Sequence, residues 1–197
     1  MTKKLDLDEV REFISATTPE TKIYIGADSE RYKRFGRWYA DYTIAVIVHY
    51  DGCRGCRVFG ESVVELDHDQ KKERPSLRLM TEVMKCAEMY LALEESIGDR
   101  YCELHLDINS DPMHASNIVV EQAVGYIIGT TGKTPKIKPD AFSATFAADR
   151  LKEIMYFRDH PHLVNFGASG NEGSAKAHPK SKQFKTRQKK QIKKGVT

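Results

Sequence analysis

Three strand-like segments follow one another near the start of the chain, and this succession constrains the fold more than any other feature. Residues 22–28 are compact and apolar, and residues 38–50 and 56–66 are rich in β-branched and aromatic side chains. Such side chains favour strands, and Asp51-Gly52 between the second and third segments is typical of a hairpin turn. The first part of the chain is therefore predicted to form a meander of three strands, antiparallel to one another.

From Pro75 onward, helix-like and strand-like segments alternate. Residues 75–97 carry two apolar stripes at helical spacing, with Pro75 suited to the first turn and Gly98 to the stop. Further segments predict a strand over 101–107, a helix over 116–128, a strand over 134–137 and a helix over 143–157. A helix over residues 5–16 precedes them all. After that helix, the order β-β-β-α-β-α-β-α predicts an α/β fold with a mixed five-stranded sheet and helices on both faces.

The charge of the 197-residue chain is uneven. Nine of its 31 Lys and Arg residues but only one of its 28 Asp and Glu residues lie in 171–197. Residues 1–170 therefore hold 22 basic and 27 acidic side chains, a net charge of −5, although the whole chain carries +3. We divide the chain into an N-terminal helical extension over 1–20, a main domain over 21–166 and a basic tail over 167–197. The tail's Gly, Ser, Lys and Gln composition predicts disorder.

Composition also excludes several classes of protein. The mean hydropathy is −0.53, and no run approaches the roughly 18 apolar residues that a membrane-spanning helix needs. The N-terminal residues lack the apolar stretch of a secretory signal, which predicts a cytoplasmic protein.

Cys53 and Cys56 form a CxxC motif, which occurs in zinc sites and in redox pairs. A structural zinc site needs a second pair of ligands, and no second CxxC or HxxxH follows at a suitable spacing. The motif also lies between two strand-like segments rather than at a helix start. We therefore predict a plain hairpin turn here, and core positions for Cys86 and Cys102.

Two predicted strands end in an acidic residue, Asp28 and Asp107. Side chains just past the carboxyl ends of neighbouring strands converge on one crevice in an open α/β sheet. If the first and fourth strands are adjacent, these two carboxylates meet and repel unless a cation lies between them. Oxygen-only clusters bind hard divalent ions such as Mg²⁺ or Mn²⁺.

Six segments in this order resemble the ribonuclease H-like superfamily, and within it the YkuK-type branch of predicted nucleases. They are IYIGADS at 23–29, SLRLMTEV at 76–83, LHLDIN at 104–109, VGYIIG at 124–129, IKPDAFSA at 137–144 and AADR at 147–150. The resemblance covers about residues 20–155. It implies a metal-dependent nuclease that hydrolyses phosphodiester bonds by a two-metal-ion mechanism with Mg²⁺ or Mn²⁺. The catalytic and metal-binding acids would be Asp28, Glu82, Asp107 and Asp149.

Each acid also has an ordinary structural interpretation. Asp28 could open a loop, and Asp107 could belong to a turn. Glu82 lies four residues after Arg78, which suits an ion pair on a helix surface. Asp149 could lie on a solvated helix face. Among neighbouring polar residues, Asn109 and Ser29 could orient metal-bound water.

Nucleic acid is the expected partner, although the sequence does not distinguish RNA, hybrid or DNA. Lys138 follows the last predicted strand and could contact a phosphate. The cations of the tail would attract phosphates without reading sequence; those assigned to binding are Lys185, Arg187, Lys189, Lys190, Lys193 and Lys194. The tail could instead serve solubility alone. The alternative function is a catalytically inactive nucleic-acid-binding or scaffold domain on the same fold.

Overall fold

The computed structural model describes residues 5–52, 54–69 and 75–141. These residues form three α-helices and five strands, which are α1 (Leu7–Ser15), β1 (Lys22–Arg34), β2 (Arg37–His49), β3 (Cys56–Leu66), α2 (Ser76–Ile97), β4 (Tyr101–Asn109), α3 (Val120–Thr131) and β5 (Lys136–Lys138). Short 3-10 segments lie at Tyr50–Gly52 and Ala115–Val119. The element order confirms the predicted α/β class. In this part of the chain, no helix is both long and apolar enough to cross a membrane.

The five strands form one mixed sheet in the order β3-β2-β1-β4-β5. β1, β2 and β3 pair antiparallel in sequence, so the predicted meander is confirmed. β4 pairs parallel with β1, and β5 pairs parallel with β4. β1 and β4 are therefore neighbours, which is the adjacency that a site built from their carboxyl ends requires.

Two strands extend past the acids at which they were predicted to end. β1 continues from Asp28 to Arg34, and β4 continues from Asp107 to Asn109. The extension of β1 pairs residue by residue with β2, from Ser29 opposite Tyr42 to Arg34 opposite Arg37. This polar stretch is a strand because its partner strand supplies the ladder, a tertiary effect that overrides its composition.

The third helix also differs from its predicted bounds. Residues 115–119 form a 3-10 segment, and α3 then runs through Gly129 to Thr131. Gly132, rather than Gly129, ends the helix, in a left-handed conformation with φ 67° that glycine adopts easily. The helix predicted over 143–157 lies outside the described residues.

The core lies between the sheet and the three helices. α2 packs on β1 and β4 and contacts both α1 and α3. One cluster joins buried residues of all three helices with β-strand residues such as Ile25 and Leu104, both fully buried. Each such side chain contributes about 1.5–3 kcal/mol by leaving water. α1 is part of this core, because Val10 and Ile14 have no exposed surface.

The other face of the sheet carries a smaller apolar cluster of Ala45 and Ile47, against which Tyr24 and Val58 pack. The buried apolar side chains of the three described helices belong to the first cluster, and the helix predicted over 143–157 lies outside the described part of the chain.

The turn between β2 and β3 is closed by backbone hydrogen bonds, from Tyr50 N–H to the Gly55 carbonyl and from Arg54 N–H to the Tyr50 carbonyl. Cys56 begins β3 with an exposed free thiol, whereas Cys86 is fully buried. Burial raises the pKa of Cys102 to about 12. These features fit a hairpin and two core thiols; Cys53 itself lies outside the described residues.

Candidate active site

Asp28 and Asp107 lie side by side on the neighbouring parallel strands β1 and β4. Ala27 on β1 pairs with Leu106 on β4, and each acid is the next residue on its strand, so Asp28 and Asp107 are at the same height along the two strands. Adjacent strands lie about 4.8 Å apart, and side chains alternate between the two faces. Asp28 therefore lies on the same face of the sheet as Tyr24, and Asp107 on the same face as His105. The rings of Tyr24 and His105 contact each other, with 5.6 Å between their centres, so both acids are on one face. The interpretation of Asp28 as a loop acid is wrong, because β1 continues beyond it.

Glu82 lies on α2 and is buried, with 2% of its surface exposed. Burial raises the pKa of Glu82 well above its ordinary value of 4.5, and the negative charges of Asp28 and Asp107 raise it further. The three carboxylates thus act on one another although they come from three elements. The alternative of a surface ion pair between Glu82 and Arg78 is wrong, because Glu82 does not face solvent.

Ser29 and Arg78 hold the carboxylate of Glu82. The Ser29 hydroxyl donates to Oε2 of Glu82 at 2.7 Å. Nη1 of Arg78 donates to the Ser29 carbonyl at 3.1 Å and to its hydroxyl oxygen at 2.5 Å. The hydrogen bond and the positive charge both lower the pKa of Glu82, but burial remains the largest cause and the pKa stays raised. This chain of hydrogen bonds fixes the position of the Glu82 carboxylate.

Asp69 fixes the start of α2, and with it Arg78 and Glu82. The N-terminal residue Pro75 has no capping side chain. Instead, the buried carboxylate of Asp69 accepts from the backbone N–H groups of Leu77 at 3.0 Å and Arg78 at 2.9 Å. N–H groups in the first turn of a helix have no acceptor within the helix. A carboxylate there supplies one, and its negative charge is also stabilised by the positive end of the helix dipole.

Arg31, on the polar extension of β1, anchors the segment that carries this cap. Its Nη2 donates to the Asp69 carbonyl at 2.6 Å, and its Nε lies 2.5 Å from Oδ2 of Asp67. Sequence reasoning missed both Asp69 and Arg31. Asp69 lies eight positions before Leu77, too far for a local capping motif to indicate it.

Asp107 is paired with Lys138, whose ammonium contacts Oδ1 of the carboxylate. Lys138 is the last residue of β5, next to β4 in the sheet. The interpretation of Asp107 as a turn acid is wrong. Asn109 and Asp111 make the turn instead, since their side chains accept from the N–H groups of Asp111 and Met113.

The chemistry of these side chains fits a hard divalent cation. All three side chains are carboxylates. Burial raises the pKa of Glu82 most, and the repulsion from Asp28 and Asp107 that raises it further is what a cation beside them would relieve. Within residues 5–52, 54–69 and 75–141, no three His, Cys, Asp or Glu side chains are arranged closely enough to hold a metal ion. The fourth predicted acid, Asp149, and the six tail cations assigned to nucleic acid lie outside those residues.

The comparisons with known proteins agree with this architecture. The model of the Ribonuclease H-like family matches residues 7–153, well over half of the chain. The chain therefore belongs to the Ribonuclease H-like family, and the narrower resemblance to its YkuK-type branch is consistent with that match. No curated protein matches the chain, and no solved structure does. The family is one of nuclease-type folds whose members usually use divalent metals and act on nucleic acid.

Proposed function

We propose that this protein is a metal-dependent nuclease that hydrolyses phosphodiester bonds of nucleic acid. The observation that supports this most directly is the burial of Glu82 beside the charges of Asp28 and Asp107. A fold gains nothing in stability from burying one acid where the charges of two others act on it. Such an arrangement is typical of a site that receives a cation.

Asp28, Glu82 and Asp107 would hold Mg²⁺ or Mn²⁺, together with Asp149. When two such ions are bound about 4 Å apart, they stabilise the attacking and departing oxygens of a phosphodiester displacement. Hydrolysis would then use water directly, with no covalent intermediate on the protein.

The remaining residues of the site position these acids. Ser29 and Arg78 keep Glu82 turned toward the strands. Lys138 neutralises part of the charge of Asp107 and is close enough to the site to contact a phosphate of the substrate once a metal ion takes its place on that carboxylate. The tail cations would add attraction to phosphates that does not depend on sequence.

A cleavage panel tests the proposal. Labelled single-stranded RNA, single- and double-stranded DNA, RNA–DNA hybrid and a branched junction are incubated with the full chain and Mg²⁺ or Mn²⁺, with EDTA as the blank. We expect cleavage of at least one substrate, lost in EDTA and in Asp28→Asn and Asp107→Asn. Asp99→Asn is the matched control, because Asp99 is exposed and lies outside the site. Cleavage that survives in both site variants would refute the assignment.

One alternative has specific support, a nucleic-acid-binding or scaffold domain without activity. The Lys138 ammonium already supplies a positive charge to Asp107, and the described acids alone do not form a three-ligand cluster. This function predicts binding of nucleic acid with no cleavage in either metal, and no loss of binding in Asp28→Asn.

A further inference from the structure

The hairpin formed by β1 and β2 reaches well beyond the acids of the candidate site. Six residues of β1 follow Asp28, and each is paired with a residue of β2. At about 3.4 Å per residue the end of this hairpin lies about 20 Å from Asp28. We call residues 33–38 the hairpin tip. By the alternation of the strand, Tyr32 and Arg34 share the face of Asp28.

The hairpin tip concentrates positive charge on an otherwise acidic body. Arg34 and Arg37 are direct cross-strand partners, and like charges in that position destabilise a hairpin. Among the residues that the structure describes, no carboxylate lies within ion-pair distance of Lys33, Arg34 or Arg37. Within the described residues these three cations have no carboxylate partner, although Lys33 lies 5.7 Å from the centre of the Trp38 ring. Positive charge that no acid neutralises is suited to an anionic partner.

Aromatic side chains alternate with these cations. Phe35 is 87% exposed, and Arg34 lies 5.1 Å from the centre of its ring. Phe35 and Gly36 both have positive φ, 49° and 79°, the pattern of a type I′ turn, which favours Asn-Gly. A phenylalanine at this left-handed position is strained and contributes nothing to the core. Behind it, Tyr32 and Tyr39 stack with an angle of 20° between their rings.

We infer that the hairpin tip binds a single-stranded segment of nucleic acid, with Arg34 and Arg37 on phosphates and a base stacked on the open face of Phe35. Single strands offer both features at once, since their phosphates are anionic and their unpaired bases stack on aromatic side chains. The 20 Å between tip and acids corresponds to about six stacked nucleotides. This inference rests on the proposed function for the identity of the partner, and it names the surface that would lead the strand to the site.

The first test is the salt dependence of binding by the full chain. Affinity for a fluorescein-labelled 20-nucleotide single strand, as DNA and as RNA, is measured by anisotropy over a series of salt concentrations in EDTA. Each phosphate contact contributes about 0.7 to the slope of log affinity against log salt. We expect Arg34→Gln with Arg37→Gln to reduce the slope by about 1.4. The matched control is Lys22→Gln with Arg54→Gln, which should leave the slope unchanged. Both residues lie far from the tip, because Lys22 begins β1 opposite His49 and Arg54 lies in the turn between β2 and β3.

The second test separates stacking from charge. Phe35→Asn puts the preferred residue into the turn, so the melting temperature should stay the same or rise, whereas affinity should fall about tenfold through loss of one stacked base. Trp38 gives a local signal, because it is the single tryptophan of the chain and lies at the tip. Its fluorescence should change on addition of the oligonucleotide, and much less in the double arginine variant.

An unchanged slope in the double arginine variant, with no response of Trp38 at saturating oligonucleotide, would overturn this inference even if the protein cleaves nucleic acid. Binding at the tip and cleavage at the acids can also separate in the other direction. A tip that binds as expected, in a protein that cleaves nothing with Mg²⁺ or Mn²⁺, would support the inference and refute the nuclease.

Discussion

The raised pKa of Glu82 predicts a specific dependence of stability on pH. In the folded protein without metal, Glu82 keeps its proton at pH values where the unfolded chain, with an ordinary pKa of 4.5, has lost it. The folded state then binds more protons than the unfolded state, so the free energy of unfolding falls as the pH rises. The contribution is complete below about pH 4.5 and is lost as the pH rises toward the folded pKa.

Glu82→Gln removes this titration and keeps the shape of the side chain. The amide oxygen can still accept from the Ser29 hydroxyl, which donates to Glu82 at 2.7 Å. Because one proton is involved, the variant should gain stability over the wild type by up to about 1.4 kcal/mol for each pH unit above 4.5, until the folded pKa is reached. At neutral pH the variant should therefore be the more stable protein, although it has lost a charged residue.

Urea denaturation in EDTA at about pH 5, 6, 7 and 8 measures this difference. Glu88→Gln is the matched control, since Glu88 lies on the same helix but is exposed, and its curve should run parallel to that of the wild type. If the curve of Glu82→Gln is also parallel to the wild type over this range, Glu82 does not titrate abnormally and the electrostatic account of the site is wrong.

Other residues of the site lead to further predictions. Asp69→Ala should lower the free energy of unfolding by about 1–2 kcal/mol, because two N–H groups of α2 lose their acceptor. Asp69→Asn should lower it by less. An Asp69→Ala variant as stable as the wild type would show that the cap is dispensable. Lys138→Met should tighten Mn²⁺ binding, measured by electron paramagnetic resonance, since it removes a cation from Asp107; weaker binding would contradict the view that Lys138 competes with the metal. Arg78→Met should raise the pKa of Glu82 further and extend the loss of stability to higher pH, and an unchanged pH profile would mean that Arg78 does not act on that carboxylate.

Much of the fold could be predicted from local patterns. The apolar segments at 22–28 and 101–107 identified two strands, and the alternation of helices and strands after Pro75 identified a mixed sheet. The true end of β1 could not be predicted, because residues 29–34 are polar and form a strand only through their pairing with β2.

The candidate site was predictable in part, through its resemblance to a family rather than through composition. The sequence left a surface ion pair with Arg78 as a competing explanation of Glu82, and only the packing of α2 on β1 distinguishes the two. The cap by Asp69 and the pairing of Lys138 with Asp107 join positions that are distant along the chain or on separate strands. No local pattern indicates such contacts.

Binding of a divalent cation by Asp28, Glu82 and Asp107 would be visible in a crystal structure of the full chain grown with Mn²⁺. We expect an anomalous scattering peak within bonding distance of carboxylate oxygens of Asp28 and Asp107, with the Lys138 ammonium displaced from Asp107. A structure at saturating Mn²⁺ with no peak beside either aspartate, and with Lys138 still paired to Asp107, would contradict it.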